Sequence, residues 1–129
     1  MNEKDERLSR LQLRYSRVFT SSNLEWGLEH MSGWDKLIDA MSMRIDAILS
    51  QDATGEIELL QVKEKFGELR VYYRLKKLEG NAIAAIARAI NETQEASTHV
   101  CEVCGRPSTL LPNNQMKTRC VTCASTIIG

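Results

Sequence analysis

A β-hairpin is predicted by residues 57–75, which read IELLQVKEKFGELRVYYRL. Residues 57–65 and 68–75 are two β-prone runs, and Phe66 and Gly67 lie between them as the turn. Apolar and polar side chains alternate in the second run, as expected for a strand that buries one face. The predicted inward-facing residues are Leu60, Val62, Leu69, Val71, Tyr73 and Leu75.

The opposite face of this hairpin is predicted to collect basic side chains around one aromatic ring: Lys63, Lys65, Arg70, Tyr72 and Arg74. Cations that flank an aromatic ring on a sheet can contact phosphates while the ring stacks on a base, as in single-strand nucleic-acid binders. The alternative is an ordinary solvated face, in which Tyr72 packs on arginine stems beside Glu64 and Glu68.

Helices are predicted on both sides of the hairpin. Upstream, apolar residues recur at helical spacing over 34–48, and Ser32 and Asp35 resemble a capping box at the start of this element. Downstream, an alanine-rich helix is predicted over 81–96, where it would cover one face of the hairpin. Its expected packing residues are Ile83, Ile86, Ala87 and Ile90. The pattern predicts an α+β fold.

The first element is predicted to be an amphipathic helix over residues 4–18, with an apolar stripe of Leu8, Leu11, Tyr15 and Val18. Beside it runs a row of arginines, which we call the arginine row: Arg7, Arg10, Arg14 and Arg17. Glu3 and Glu6 lie four residues before the first two arginines and can pair with them, whereas the other two lack such local partners. A solvated helix docked on the body is favoured, and a dimer seam or a surface for an acidic partner are the alternatives.

All four cysteines lie near the C-terminus, in two Cys-x-x-Cys pairs with fifteen residues between them: Cys101, Cys104, Cys120 and Cys123. This spacing is typical of a tetrahedral four-cysteine zinc site. Four thiolates would leave no open position, so we expect one structural Zn²⁺. An iron site, disulfides or a redox dithiol are the alternatives; disulfides are disfavoured because no apolar signal-peptide core comes after the first residues.

The two cysteine pairs differ in the residues on their C-terminal side. Gly105 comes directly after the first pair and can adopt the positive φ that closes a knuckle turn. Residues 124–128 come directly after the second pair and are predicted to form a short helical turn. This combination favours a treble-clef-like knuckle, with a plain zinc ribbon as the alternative.

The composition is that of a soluble globular domain. The chain has 129 residues, 43% of them hydrophobic, and a formal net charge of zero. Charge is unevenly spread: residues 21–60 carry a net −6 and residues 61–77 a net +4. No apolar run has transmembrane length, so we expect a cytoplasmic protein that does not bind membranes. Three segments are predicted: an N-terminal helix over 1–20, an α+β body over 21–98 and a zinc-binding module over 99–129.

Three motifs resemble those of small, largely uncharacterised zinc-knuckle proteins of bacteria, their phages and other mobile elements. They are GWxxLID at 33–39, QVKEKFGxLRxYY at 61–73 and CExCG at 101–105. Similar proteins often close the metal site with Cys-x-x-His and carry a second glycine after the hairpin glycine, where this chain has Cys123 and Glu68. The resemblance covers roughly residues 33 to 123; it implies a phage or mobile-element origin and no particular mechanism.

No catalytic constellation is evident in the sequence. His30 and His99 are the only histidines, no phosphate-binding glycine loop is present, and the predicted metal site is saturated. We therefore expect a non-catalytic protein with no small-molecule substrate. The favoured function is binding a host protein as an adaptor or inhibitor. The alternative is a nucleic-acid-binding zinc protein or transcription accessory, which a steep salt dependence of affinity would reveal.

Overall fold

The computed structural model describes residues 3–20, 24, 26–52, 54–110 and 116–127. It has an α+β architecture, as predicted. In chain order the elements are α1 (Glu3–Arg14), α2 (Ser16–Phe19), β1 (Leu28–Glu29), a 3₁₀ turn (Ser32–Trp34), α3 (Asp35–Leu49), β2 (Glu56–Lys65), β3 (Glu68–Lys76), α4 (Gly80–Ser97), β4 (Thr109–Leu110), β5 (Thr118–Arg119) and α5 (Val121–Ile127).

The central sheet has three strands in the order β1-β2-β3. Strands β2 and β3 are antiparallel and pair from Lys65 opposite Glu68 to Glu56 opposite Lys76, which confirms the predicted hairpin. Strand β1 adds a short parallel edge, with Leu28 opposite Val62. This strand was not predicted, because two residues are too few to give a periodic signal.

A β-bulge at Leu60 changes which residues of β2 face the core. The register shifts between Leu59 and Gln61, so Leu60 has no partner on β3. Leu59 is fully buried, Val62 is 1% exposed and Leu60 is 37% exposed. The prediction that Leu60 is buried is therefore wrong: an extra residue reverses the alternation of faces along a strand.

The core lies between the sheet and the helices α2, α3 and α4. Helix α4 packs on both α3 and β3, with Ile86, Ala89 and Ile90 buried. Ile83 is 42% exposed, so its predicted place on the packing side is wrong. A group of apolar side chains, all less than 2% exposed, forms the centre of this core: Val18, Leu28, Trp34, Ile38, Met41, Ile45, Ile57, Leu59, Val62, Leu69, Ile86 and Ile90.

Helix α4 also covers the free edge of β3. The backbone N–H of Leu69 donates to Ser97 Oγ at 2.8 Å, and that of Val71 donates to Gln94 Oε1 at 2.9 Å. Side chains of a helix thus take the place of a fourth strand along this stretch of the edge. Covering an edge in this way satisfies backbone donors that would otherwise recruit another strand.

The N-terminal element is two helices rather than the one predicted. Tyr15, at φ −128° and ψ 64°, separates α1 from α2. Its side chain is buried and its hydroxyl donates to Asp39 Oδ2 at 2.9 Å. Leu11 and Val18 belong to the same core as the sheet residues, so this element is docked on the body.

Candidate metal centre

The first cysteine pair lies on a tight knuckle. The N–H of Gly105 donates to the carbonyl of Cys101 at 2.9 Å, and Gly105 has a φ of +83°. The N–H of Cys101 donates to the carbonyl of Arg106 at 2.7 Å, and Val100 bridges to Pro107. The predicted glycine-dependent turn is present.

The second cysteine pair lies where β5 leads into α5. Strands β4 and β5 form a small antiparallel ladder, and Cys120 stands between β5 and α5. Cys123 is in the first turn of α5, and its N–H donates to Cys120 Sγ at 3.5 Å. Helix α5 spans Val121–Ile127, which confirms the helical tail that was predicted after the second pair.

These two structures bring all four sulfurs together. The Sγ atoms of Cys101, Cys104, Cys120 and Cys123 all lie within 4.8 Å of one another, and Cys104 Sγ is 3.6 Å from Cys120 Sγ. Zn–S bonds of about 2.3 Å place the sulfurs of a tetrahedral site about 3.8 Å apart. The donor set therefore fits a four-thiolate metal ion. His99 is exposed and lies outside this cluster.

The protein environment shifts the thiol pKa values of Cys101, Cys120 and Cys123 in different directions. Burial opposes ionisation of Cys101, but hydrogen bonds from the backbones of Cys120, Cys104 and Val103 outweigh it and lower the pKa of its thiol to about 6. The backbone N–H of Cys123 lowers the pKa of Cys120. Burial, together with the neighbouring sulfurs, raises the pKa of Cys123 to about 12. Four thiolates at this spacing need a cation, and bound Zn²⁺ deprotonates its thiol ligands.

The knuckle is bonded to the 3₁₀ turn before α3. The N–H of Gly33 donates to the carbonyl of Glu102 at 2.7 Å, and Trp34 Nε1 donates to the carbonyl of Val100 at 2.8 Å. A Cβ on Gly33 would lie 2.2 Å from the carbonyl oxygen of Cys101 and 2.3 Å from that of Glu102. Only glycine allows this close approach of the two backbones.

The same module is bonded to the turn of the main hairpin. Thr118, which is fully buried, donates from Oγ1 to the carbonyl of Gly67 at 2.6 Å. Lys117 Nζ donates to Glu64 Oε1 at 2.7 Å, and the other oxygen of Glu64 accepts the N–H of Gly67 at 2.8 Å. The motifs at 33–39, 61–73 and 101–105 therefore meet at one junction, although they are separate features of the sequence.

Glu102 is a buried carboxylate at this junction. It is 3% exposed, and its Oε2 accepts the N–H of Met31 at 3.3 Å. Burial raises the pKa of Glu102, and the charge of Glu64 adds to this, while Lys117 and Arg119 act in the opposite direction. Within the described residues, Glu102 Oε1 and Arg119 Nε have no hydrogen-bond partner. The sequence placed Glu102 in the motif at 101–105, but no pattern indicated that its side chain is buried.

The arginine row is largely engaged by the acidic face of α3. Arg7 is 7% exposed and donates from Nε and Nη2 to the carboxylate of Asp35, with a shortest distance of 2.6 Å. The row continues with Arg14 bound to Asp39 at 2.6 Å and Arg17 bound to Asp46 at 3.2 Å. Asp35 therefore accepts hydrogen bonds from Arg7. The 3₁₀ turn and the start of α3 show none of the side-chain hydrogen bonds of the predicted capping box.

These contacts change how the arginine row is interpreted. Arg7 is held inside the fold and is not available to an external partner. The local pair that was predicted for it with Glu3 falls on a side chain outside the described part of the chain. Arg10 is exposed and lines a cavity of about 390 Å³ between α1 and α3, together with Lys36.

The basic face of the hairpin points outward, as predicted. The cross-strand pairs on it include Lys65 opposite Glu68, Lys63 opposite Arg70, Gln61 opposite Tyr72, and Glu58 opposite Arg74. Carboxylates are interspersed among the cations: Arg70 Nε is 3.0 Å from Glu68 Oε1, and Arg74 Nε is 3.8 Å from Glu58 Oε1. This face therefore carries less uncompensated positive charge than its lysines and arginines alone would give.

Comparisons with known proteins give no match to a family model, to a curated protein or to a solved structure. Among the residues that the structure describes, no helix combines the length and the apolar character needed to span a bilayer.

Proposed function

We propose that this chain is a non-catalytic adaptor or inhibitor that binds a host protein and uses one structural Zn²⁺ to hold its binding surface in place. The observation that carries the proposal is the junction: the four-cysteine module bonds to the 3₁₀ turn through Gly33 and to the hairpin turn through Gly67. A metal placed there would stabilise the relative position of these turns.

The donor set supports a structural role for the metal. Four thiolates complete a tetrahedral coordination sphere, so no position remains for a water or a substrate. The knuckle at Cys101–Cys104 and the helix that begins after Cys120 support a treble-clef-like arrangement. Zinc rather than iron is proposed because four-thiolate sites of this spacing are typical of structural zinc.

Ion pairs within the molecule favour protein binding over nucleic-acid binding, because they engage most of the arginines considered above. Arg7, Arg14 and Arg17 pair with carboxylates of α3, and Arg70 and Arg74 have carboxylates nearby. Paired cations release few counterions when they meet a phosphate backbone, so they contribute little to nucleic-acid affinity.

Aromatic side chains, by contrast, remain exposed. Trp26 is 70% exposed and Phe66 is 60% exposed. Large aromatic residues are enriched at protein interfaces, where they contribute most of the binding free energy. The resemblance to phage and mobile-element proteins supports a partner from the host cell.

Nucleic-acid binding is the second candidate. It is supported by Lys63 and Arg70, which lie opposite one another on the outward face of the hairpin, with Tyr72 two positions along β3 and 40% exposed. This arrangement offers two cations and one ring for a single strand.

The two candidates are separated by affinity capture from a host lysate with the zinc-loaded chain as bait. Nuclease-treated and untreated lysates are compared at low and high salt, with the Cys101→Ser variant as the matched control. We expect one protein to be retained in stoichiometric amount after nuclease and in high salt, and to be lost with the variant. Recovery of nucleic acid alone, abolished by nuclease and steeply weakened by salt, would contradict the proposal.

A further inference from the structure

The turn of the main hairpin places an aromatic residue in an unfavourable backbone conformation. Phe66 has a φ of +53° and Gly67 a φ of +82°, and they are the only residues between β2 and β3. Positive φ at both central positions is the pattern of a type I′ turn, for which Asn-Gly is strongly preferred. A bulky residue in this conformation is an outlier that calls for an explanation.

Packing within the molecule does not supply that explanation. Phe66 is 60% exposed, so more than half of its surface faces solvent. The contact that the structure shows for the ring is with Lys65, whose Nζ lies 5.7 Å from the ring centroid. A strained and exposed aromatic residue points to a role outside the fold.

Hydrogen bonds on the side of the turn opposite the ring hold Gly67 in place. The carbonyl of Gly67 accepts a hydrogen bond from the buried Thr118, and its N–H donates to Glu64, which also binds Lys117. Both Thr118 and Lys117 belong to the zinc-binding module. A side chain on such a support loses little conformational freedom when it binds, which favours affinity.

The charges around the ring indicate what it would meet. In the described part of the chain, neither Lys63 nor Lys65 has a carboxylate within ion-pair distance, and residues 61–77 carry a net +4. Tyr72 is in the fifth residue pair from the turn, about 13 Å along the strand from the first pair, so the two rings are not neighbours for successive bases. A single projecting ring fits a pocket better than it fits an extended strand.

We propose that Phe66 is the anchor of the binding surface: its ring enters an apolar pocket on a partner protein, and Lys63 and Lys65 pair with carboxylates at the rim of that pocket. This inference rests on the proposed function and specifies the residue and the partner chemistry. The unfavourable turn is then retained for binding, since Asn at this position would suit the backbone better.

The test is a random-peptide display selection on the full zinc-loaded chain, followed by affinity measurements for the enriched peptides. We expect these peptides to combine aromatic or aliphatic residues with Asp or Glu. Phe66→Asn is expected to weaken them about 30-fold, as for an interface hot spot, whereas Phe66→Tyr retains binding within about 3-fold. Leu13→Ser, which alters an exposed leucine on α1, serves as the matched control and leaves binding unchanged.

Thermal unfolding of the same variants tests whether weaker peptide binding results from a loss of stability. Phe66→Asn is expected to melt at the wild-type temperature or above it, because Asn-Gly favours the turn. Equal binding by Phe66→Asn, a lower melting temperature for it, or no enriched peptide would each overturn the inference. Peptides that depend on Leu13 instead would leave protein binding in place and remove Phe66 as its anchor. Phe66-dependent binding of a labelled single-stranded oligonucleotide, with no enriched peptide, would overturn both proposals.

Discussion

The body of this protein carries an attached segment at each end, and the two are held by different interactions. At the N-terminal end, α1 and α2 dock through apolar residues and through ion pairs that include Arg14–Asp39 and Arg17–Asp46, with both arginines more than half exposed. At the C-terminal end, the four-cysteine module docks through the close backbone approach at Gly33, through hydrogen bonds from the side chains of Trp34 and Thr118 to backbone carbonyls, and through one ion pair, Lys117–Glu64.

The difference determines how each attachment should respond to perturbation. Exposed ion pairs contribute about 0.2–1 kcal/mol each and are screened by salt. The junction at Gly33 and Gly67 instead requires the module itself to be folded, and a structural metal site supplies folding free energy directly. We therefore expect the C-terminal attachment to depend on the metal and the N-terminal one to depend weakly on ionic strength.

Loss of a metal ligand should have the largest effect. Cys101→Ser removes the one fully buried ligand, and we expect loss of the metal and a cost of more than about 3 kcal/mol in the free energy of unfolding. Native mass spectrometry and denaturant unfolding measure both quantities. Ser108→Ala, in the same module, is the matched control and should keep the metal. Full metal retention by Cys101→Ser would contradict the four-thiolate assignment.

Substitution of Gly33, where two backbone segments approach closely, should have the second-largest effect on the free energy of unfolding. Gly33→Ala places a methyl group within 2.4 Å of the Cys101–Glu102 backbone, so the knuckle must move away, and we expect a loss of about 2–4 kcal/mol. Gly27→Ala is the control: nothing lies within 4 Å of its added Cβ, and its positive φ alone costs about 1 kcal/mol. Equal midpoints of denaturant unfolding for these two variants would show that the junction is not tight.

Substitution of Arg7 tests the buried ion pair at the N-terminal end, in comparison with an exposed arginine of the same row. Arg7→Gln removes the paired hydrogen bonds to Asp35, and we expect a loss of about 1–3 kcal/mol in the free energy of unfolding without loss of the metal. Arg10→Gln, on the exposed side of the row, should change stability by less than about 0.5 kcal/mol. Chemical denaturation of both variants makes the comparison, and a reversed order would contradict the docking described for α1.

The exposed pairs should have the smallest effect and a distinct salt dependence. Arg14→Gln and Arg17→Gln are each expected to cost about 0.2–1 kcal/mol at low salt and almost nothing near 1 M salt. Unfolding measured at the two ionic strengths tests this. A larger loss that persists in high salt would show that these arginines hold α1 and α2 by more than surface charge.

Local patterns in the sequence predicted the main elements and the cysteine cluster. The hairpin was indicated by two β-prone runs around Phe66-Gly67, and the clustering of the four cysteines was indicated by the spacing of two Cys-x-x-Cys pairs. Both signals lie within short windows, where periodicity and spacing carry most of the information.

The features that sequence patterns missed depend on contacts between distant segments. The bulge at Leu60 reverses the inward face of β2, and no single strand's pattern reveals its register with a partner. The partners of the arginine row lie on α3, some 25 residues or more along the chain. The motif at 33–39 included Gly33 without indicating its role, and Thr118 lay in no motif, because the importance of both comes from contacts between the four-cysteine module and the body.

Amide hydrogen exchange with and without a chelator tests most directly whether a bound metal holds the four-cysteine module on the body. We predict that zinc removal exposes the amides of Gly33 and Gly67 and of Cys101 and Glu102 in the knuckle, while the amides of Ile45 in α3 and Ile90 in α4 stay protected. Unchanged exchange at Gly33 and Gly67 after the metal is gone would contradict this role of the metal.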